Sequence, residues 1–242
     1  MGQFQQAIDA FSEILTTQPS ELRVLLTLAQ THLEFGRAQM AASFAARAEV
    51  SFVDSINVVL TVMETSPGFR RIAWKTAADA LFELSKMNSF IEPDRITATL
   101  EQVVPLVANR AQDRLSGLVP SPPQLAGLTA VKLSQAILVT TLHAYSYRNS
   151  LGALDDAAAA SGMYDLAISL AVYSRYVSDS SKREDIHKEA TKCMKEAISL
   201  DPLNERYWHT LGDLYFLTHP KTAQHAYIKA LELDNKVKHT VS

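Results

Sequence analysis

The sequence predicts an all-α fold, arranged as a right-handed α-solenoid of paired helices. Small and aromatic side chains recur at helical spacing in several stretches, most regularly over residues 190–231. Eight glycines and nine prolines in 242 residues are too few for a β-rich chain with many tight turns. The six residues from Trp74 to Asp79 agree at three places with those from Trp208 to Asp213, which lie nearly four repeats of about 34 residues later. Internal repetition of this length is typical of stacked helical repeats.

The most regular repeat lies near the C-terminus, after a helix that Pro202 closes. One helix carries a large residue, a Leu-Gly pair and a Tyr, and the next carries small, aromatic and Ala positions: Trp208, Leu211, Gly212, Tyr215, Ala223, Tyr227 and Ala230. This is the tetratricopeptide pattern, so we predict tetratricopeptide-like helix pairs. Small residues at Gly212 and Ala223 allow two antiparallel helices to approach closely. We expect the rings of Trp208, Tyr215 and Tyr227 to pack around that contact.

The first residues belong to the second helix of a pair. Gly2 and Ala7 recur about 34 positions later as Gly36 and Ala41. A chain that begins with a second helix lacks the first, so we expect a fragment of a longer array. Further helices are predicted over residues 21–35, 51–67 and 70–86, and the last of these carries Trp74.

The middle of the chain is less regular. A helix is predicted over residues 94–115, although Pro105 should kink or end it. The Pro-rich residues 118–123 are predicted to form a loop between two groups of helix pairs, residues 1–117 and 124–242. The second group is predicted to contain a helix over 124–148, a connector over 149–162, a helix over 163–177 and an insertion at about 178–185.

Composition narrows the class of protein. The formal net charge of -3 provides no general attraction to nucleic acid, so direct nucleic-acid binding is not expected. The single cysteine, Cys193, rules out an internal disulfide framework and fits a reducing compartment. The most apolar segment, residues 125–145, contains Lys132 and His143 and is too polar for a membrane span. We therefore expect a cytoplasmic protein that does not bind membranes, with the nucleus as an alternative location.

The reactive and metal-ligating side chains do not form a recognisable catalytic motif. The sequence contains no phosphate-binding glycine loop and none of the common nucleophile or zinc motifs. His187 and Cys193 are six positions apart, which does not align them on one helix face as metal ligands. The lysines and arginines of residues 182–195 alternate with acids and are better explained by ion pairs along a helix. We predict a protein that is not an enzyme, with no catalytic, cofactor-binding or metal-binding residues.

A partner-binding groove is the remaining candidate site. Stacked helix pairs expose one face of each first helix on the inner wall of the solenoid. Near the two tryptophans, that face is predicted to present Lys75, Asp79, Phe82, Arg206, His209, Asp213 and Phe216. Phe82 and Phe216 are equivalent in the repeat, and an exposed Phe on a groove wall would anchor a partner. The alternative, that neighbouring repeats bury both rings, stays open.

Several runs resemble one family of repeat proteins. These runs are Leu200-Asp201, Tyr207-Trp208, Leu211-Gly212 and the segment of Ala223, Gln224, His225, Ile228 and Lys229. Together with the insertion inside a repeat and the upstream Trp74, Lys75 and Asp79, they resemble the tetratricopeptide scaffold subunits of superkiller (Ski) complexes. The resemblance implies a non-catalytic cytoplasmic scaffold that holds a DExH-box RNA helicase and WD-repeat subunits. These partners would feed mRNA to the RNA exosome for 3′-to-5′ decay, so the link between this chain and the exosome would be indirect.

Two other functions fit a helical repeat. One is a generic peptide-docking adaptor or co-chaperone module. A carboxylate clamp of the co-chaperone type needs Lys and Asn at fixed groove positions, where this chain has Leu26, Gln30, His209 and Asp213. The other is RNA binding by the groove, which the net charge disfavours and which would show as a steep salt dependence of affinity.

Overall fold

The computed structural model describes residues 2–108, 113–122, 125 and 128–240. Every regular element in this part of the chain is helical, which confirms the predicted all-α class. The chain divides into two compact units, Met1–Ser150 and Leu151–Ser242. The first contains α1 Gly2–Thr17, α2 Leu22–Ala41, α3 Ala45–Thr65, α4 Arg70–Ser85, α5 Pro93–Ala108, a 3₁₀ turn Asp113–Leu115 and α6 Ala130–Ser150. The second contains α7 Asp156–Ser174, α8 Ser180–Leu200, α9 Glu205–Tyr215 and α10 Pro220–Thr240.

The C-terminal unit consists of the helix pairs that the repeat pattern predicts. Helix α7 packs against α8, and α9 packs against α10. Asp155, Asp179 and Asn204 cap the N-termini of α7, α8 and α9, because each side chain accepts a hydrogen bond from a backbone N–H of the first turn. These caps explain two differences from the sequence-based boundaries. The predicted connector is helical from Asp156 onward, and residues 180–185 of the predicted insertion form the first turns of α8.

The N-terminal unit departs from regular repeat pairing at α4. Helices α2 and α3 form a pair, but α4 packs against α3 and α6, while α5 packs against α3 and α6 as well. Trp74 of α4 is 1% exposed and meets the Tyr147 ring edge-on, with 5.2 Å between the ring centroids. The partner of α4 is therefore a helix that follows it only after α5 and the intervening loop.

Two glycines mark close contacts between paired helices. A Cβ atom on Gly36 would lie 2.5 Å from the ring of Phe52, and a Cβ on Gly212 would lie 2.4 Å from the ring of Tyr227. The predicted close approach at Gly212 is thus confirmed, with the Tyr227 ring as its neighbour. Trp208 differs from the prediction, because it is only half-buried and donates from Nε1 to the Pro202 carbonyl at 2.9 Å. The preceding Tyr207, at 6% exposure, fills the buried position instead.

The middle of the chain also differs from the prediction. Helix α5 continues through Pro105 to Ala108 rather than ending at the proline. Residues 116–122 of the Pro-rich stretch are not helical, whereas Pro123 lies outside the described residues. His143 of α6 holds this loop, since its Nε2 lies 2.9 Å from the Pro120 carbonyl oxygen. A carbonyl only accepts, so the ring carries its hydrogen on Nε2.

Buried histidines should make the N-terminal unit sensitive to acid. Burial lowers the pKa of His143 below its ordinary value of 6.5, against the opposing effect of the hydrogen bond to Pro120. Burial also lowers the pKa of His32, against the opposing charge of Asp54. The unfolded chain therefore binds more protons just below pH 6.5 than the folded chain does.

We expect the two neutral histidines to contribute fully to the stability of this unit above about pH 6.5, the pKa of histidine in the unfolded chain. That contribution should be lost progressively as the pH falls from there through their lower folded-state pKa values. The measurement is the urea midpoint by circular dichroism at about pH 7.5 and about pH 5.5, in the wild type and in the double variant His32→Asn, His143→Gln. The variant should lose much of the pH dependence. Equal pH dependence in both proteins would show that other groups control it.

Glu49 of α3 forms a buried cap for α5. Glu49 is 1% exposed, and its carboxylate accepts hydrogen bonds from the backbone N–H of Ile91 at 2.9 Å and of Glu92 at 2.7 Å. These two N–H groups directly precede α5, so the contact fixes the start of that helix on α3. Buried hydrogen bonds to a charged acceptor are the costly ones to remove.

We expect Glu49→Ala to lower the free energy of unfolding by about 2 kcal/mol, because two buried N–H groups lose their acceptor. The measurement is urea unfolding followed by circular dichroism. Glu101→Ala, at an exposed position of α5, is the matched control and should change stability by less than about 0.5 kcal/mol. Equal stability of the two variants would contradict a structural role for the Glu49 carboxylate.

Candidate partner-binding groove

A groove follows α7 and α9 in the C-terminal unit. One part is a recess of about 590 Å³ with an apolar floor from α7 and α9 and a polar rim from α8. A second recess, of about 440 Å³, lies between the start of α7 and the helices α9 and α10. Thr210 lines both recesses, so they adjoin at that residue. We call the two recesses together the C-terminal groove.

Three of the four predicted C-terminal site residues line this groove, and the fourth, Phe216, directly precedes the lining residue Leu217. Arg206 and His209 line the smaller recess, and Asp213 lines the larger one. Phe216 follows α9 directly and is 61% exposed. Sequence reasoning missed Leu217, which is 88% exposed and lines the larger recess. The sequence did contain a signal for Leu217, because the repeat pattern has no buried position for a Phe-Leu pair at the end of its helix.

Aromatic packing orients Arg206. The Arg206 guanidinium lies 5.4 Å from the centroid of the Tyr164 ring, and its Nη2 is 3.4 Å from the Tyr164 hydroxyl oxygen. The Tyr164 ring in turn packs against Tyr207, with 5.0 Å between the ring centroids. A guanidinium held over a ring keeps its outer N–H groups available for a carboxylate or carbonyl of a partner.

Asp213 has a polar partner on each of two sides. Its carboxylate accepts from the Tyr227 hydroxyl at 2.8 Å, and His209 Nδ1 lies 3.4 Å away. Partial burial and the hydrogen bond to Asp213 raise the pKa of Tyr227, so its hydroxyl stays protonated and continues to donate at neutral pH. The groove wall thus contains one oriented cation, one satisfied carboxylate and exposed apolar side chains. Such a surface suits a protein segment with mixed polar and apolar residues.

The three predicted residues of the N-terminal unit lie in a different environment. Asp79 is 8% exposed, and it accepts from the Tyr145 hydroxyl of α6 at 2.7 Å and from Lys75 Nζ at 2.9 Å. Phe82 is half-buried, with its ring centroid 6.5 Å from that of Tyr145 and 4.8 Å from Lys86 Nζ. Asp79 and Phe82 therefore pack against Tyr145 of α6 rather than lining an open wall, and Lys75 pairs with Asp79. Phe82 and Phe216, equivalent in the pattern, differ in exposure because α6 covers only Phe82.

Other kinds of functional site have little support in the described part of the chain. Within the described residues, no group of three His, Cys, Asp or Glu side chains is placed to hold a metal ion. Cys193 is buried. Of the positions compared with a carboxylate clamp, Leu26 is buried and Gln30 is exposed. No helix in the described part of the chain is long and apolar enough to cross a bilayer.

The helix pairs define the class of protein, which is a protein-interaction scaffold of tetratricopeptide-like repeats. The fold resembles the crystal structure of MamA, with a TM-score of 0.51 and 16% sequence identity over 98% of this chain and 92% of that one. That likeness concerns the fold alone.

A more particular similarity comes from the sequence. The chain is 25% identical to Superkiller protein 3 of Schizosaccharomyces pombe over 231 residues, which is 93% of this chain. It spans 16% of the length of that relative. No family model matches the chain.

Proposed function

We propose that this chain is a non-catalytic part of a scaffold that, like the superkiller subunit it resembles, assembles an RNA helicase and WD-repeat proteins for exosome-mediated mRNA decay. The observation that carries the proposal is the match to Superkiller protein 3, which runs through both helical units rather than through one repeat. Generic repeat residues alone would explain a short match at this identity better than they explain one of 231 residues.

The C-terminal groove is the surface that we assign to partner capture. Phe216 and Leu217 provide exposed apolar area, and Arg206 provides a cation that Tyr164 holds in place. Aromatic residues and arginine dominate the binding energy of many protein interfaces. In this proposal the helicase performs all catalysis and the repeats provide only position, in the cytoplasm.

The experiment is affinity purification of the full-length parent protein, followed by mass spectrometry. Recovery of a DExH-box helicase and WD-repeat proteins in stoichiometric amounts is the expected result. Recovery of chaperones in their place would favour the alternative, a generic peptide-docking adaptor or co-chaperone module. Recovery of neither group would contradict the superkiller-like assignment.

We expect Phe216→Asp to weaken capture of the recovered partner by about tenfold or more, because it places a charge where an apolar contact forms. The measurement is a pulldown titration with purified partner. Leu203→Asp is the matched control, since Leu203 is 73% exposed and precedes α9, at the opposite end of that helix from Phe216. Both variants should retain the wild-type circular dichroism spectrum. Equal loss of binding in both, or in neither, would show that Phe216 lies outside the interface.

A further inference from the structure

Arginines lie at both ends of the C-terminal groove, and apolar side chains lie between them. Arg206 lines the smaller recess, whereas Arg175 and Arg183 line the larger one. Ile168 of α7 and Leu214 of α9 contribute to the floor of the larger recess. The charge and spacing of these side chains limit the chemistry of a partner segment that the groove can bind.

None of the three guanidinium groups has a carboxylate partner among the described residues. Arg206 is held over the Tyr164 ring. Arg183 donates from Nε and Nη2 to the Val177 carbonyl at 3.0 and 2.8 Å, which leaves Nη1 available. Arg175 is exposed at the end of α7, and its side chain has no hydrogen bond or ion pair in the described part of the chain. The groove therefore presents unpaired positive charge at both ends.

Most of the carboxylates that line the groove already have partners. Glu184 pairs with Lys188 Nζ at 2.8 Å, and Asp213 accepts from a tyrosine hydroxyl at 2.8 Å. Asp234 also has a partner. Glu205 lies in the first turn of α9, where the helix N-terminus favours a negative charge. With three unpaired arginines against this one glutamate, the groove is complementary to a negatively charged segment.

The two ends of the groove are separated by most of a helix length. Arg206, in the first turn of α9, lies on Tyr164 of α7, and further along the same two helices Val172 and Leu214 line the larger recess together. Arg175 follows Tyr164 by 11 positions, which is about 16 Å along α7. An extended chain advances about 3.3 Å per residue and directs alternate side chains to one face. The first and last side chains of a five-residue segment are thus about 13 Å apart on one face, within reach of flexible arginines at both ends.

From this arrangement we propose that the C-terminal groove binds an extended acidic segment of a partner protein. One carboxylate of the segment pairs with Arg206, a second pairs with Arg175 and Arg183, and an apolar side chain between them packs on the floor. This assignment rests on the proposed function, in which the groove captures a partner. The occupant is a protein segment because two separated carboxylates with an apolar side chain between them match the charged ends and the apolar floor.

The test is an NMR titration of the ¹⁵N-labelled 242-residue chain with the capped pentapeptide acetyl-Glu-Ser-Phe-Ser-Glu-amide. We expect saturable shifts of amides along the groove, including Thr210, which lines both recesses, with a Kd on the order of 1 mM. Arg206→Gln and Arg175→Gln should each weaken binding about fivefold or more, because each removes a charge-assisted contact. Lys192→Gln is the matched control, since it removes the same charge at an exposed position of α8, beyond the lining residue His187, and should bind as the wild type does.

Altered probes separate the charged contacts from the apolar one. The peptides acetyl-Gln-Ser-Phe-Ser-Gln-amide and acetyl-Glu-Ser-Ser-Ser-Glu-amide should both bind much more weakly than the first. Equal binding of the neutral peptide would overturn the acidic assignment, and equal binding of the serine peptide would overturn the contact with the apolar floor. An effect of only one of the two arginine variants would overturn the two-ended arrangement. Tighter binding of a short oligouridylate than of the pentapeptide would overturn a protein segment as the occupant.

The outcomes distinguish this proposal from the superkiller-like assignment. Recovery of the helicase and WD-repeat proteins, with no saturable binding of the pentapeptide, would overturn the acidic segment alone. Saturable binding in the groove, with neither group of proteins recovered, would overturn the superkiller-like assignment alone. Saturable shifts confined to the N-terminal unit would show that the acidic segment binds elsewhere and would overturn the site.

Discussion

Trp74→Ala is expected to lower the free energy of unfolding of the N-terminal unit by about 3–5 kcal/mol. Trp74 is 1% exposed in α4, which lies between α3 and α6, and its ring meets Tyr147 edge-on. Truncation removes the transfer free energy of a large ring and leaves a cavity that two flanking helices cannot close. The measurement is urea unfolding followed by circular dichroism, because the substitution removes one of only two tryptophans.

Trp208→Ala is the matched comparison, since Trp208 occupies the same place in the repeat pattern. Its ring is half-buried, and its Nε1 donates to the Pro202 carbonyl near the surface. We expect a loss of about 1 kcal/mol, which is typical of one partly exposed hydrogen bond and limited apolar contact. Equal losses in the two variants would show that both tryptophans are core residues. A loss below about 1 kcal/mol for Trp74→Ala would contradict its burial.

Gly36→Val is expected to destabilise the N-terminal unit by about 3 kcal/mol, at the upper end of the usual cost of overpacking. A Cβ at this position would lie 2.5 Å from the Phe52 ring, and Phe52 is fully buried. The ring therefore has no free space into which to move, and α2 must separate from α3. Thermal or urea unfolding of the purified variant measures the effect.

Gly212→Val tests the equivalent contact of the C-terminal unit, where the neighbouring Tyr227 ring can move. Its Cβ would lie 2.4 Å from the Tyr227 ring, but Tyr227 is half-exposed and can rotate outward. The expected loss is about 1–2 kcal/mol, and it includes the hydrogen bond from Tyr227 to Asp213. A larger loss for Gly212→Val than for Gly36→Val would show that the exposure of the neighbouring ring does not control the cost.

Sequence reasoning identified residues whose type alone limits their environment. Gly212 beside a ring, the Trp-Leu-Gly-Tyr spacing and the Pro202 stop each reflect the geometry of one helix pair, which local sequence encodes. The prediction failed where two adjacent residues competed for one position. Trp208 and Tyr207 both fit the large position of the pattern, and only the packing of α7 against α9 through Tyr164 and Tyr207 shows which ring is buried.

The candidate site residues also divide into those that helical spacing predicts correctly and those whose environment depends on distant packing. The C-terminal residues Arg206, His209 and Asp213 line a groove because they belong to a regular pair whose inner face is readable from helical spacing. Asp79 lies on the equivalent face of α4, but Tyr145 of α6 covers it. The cap that Glu49 of α3 provides for the segment before α5 escaped prediction, because its acceptor and its donors lie in different parts of the chain. No spacing within one helix relates those two segments.

By itself, the sequence determined that this protein is built from tetratricopeptide-like helix pairs, because helical period and the sizes of a few side chains act over one or two turns. Only the tertiary structure decided that α4 packs against α6 and that Asp79 is buried. These outcomes depend on which distant helix covers a given face, and that choice is made by the summed packing of whole helices rather than by any local motif.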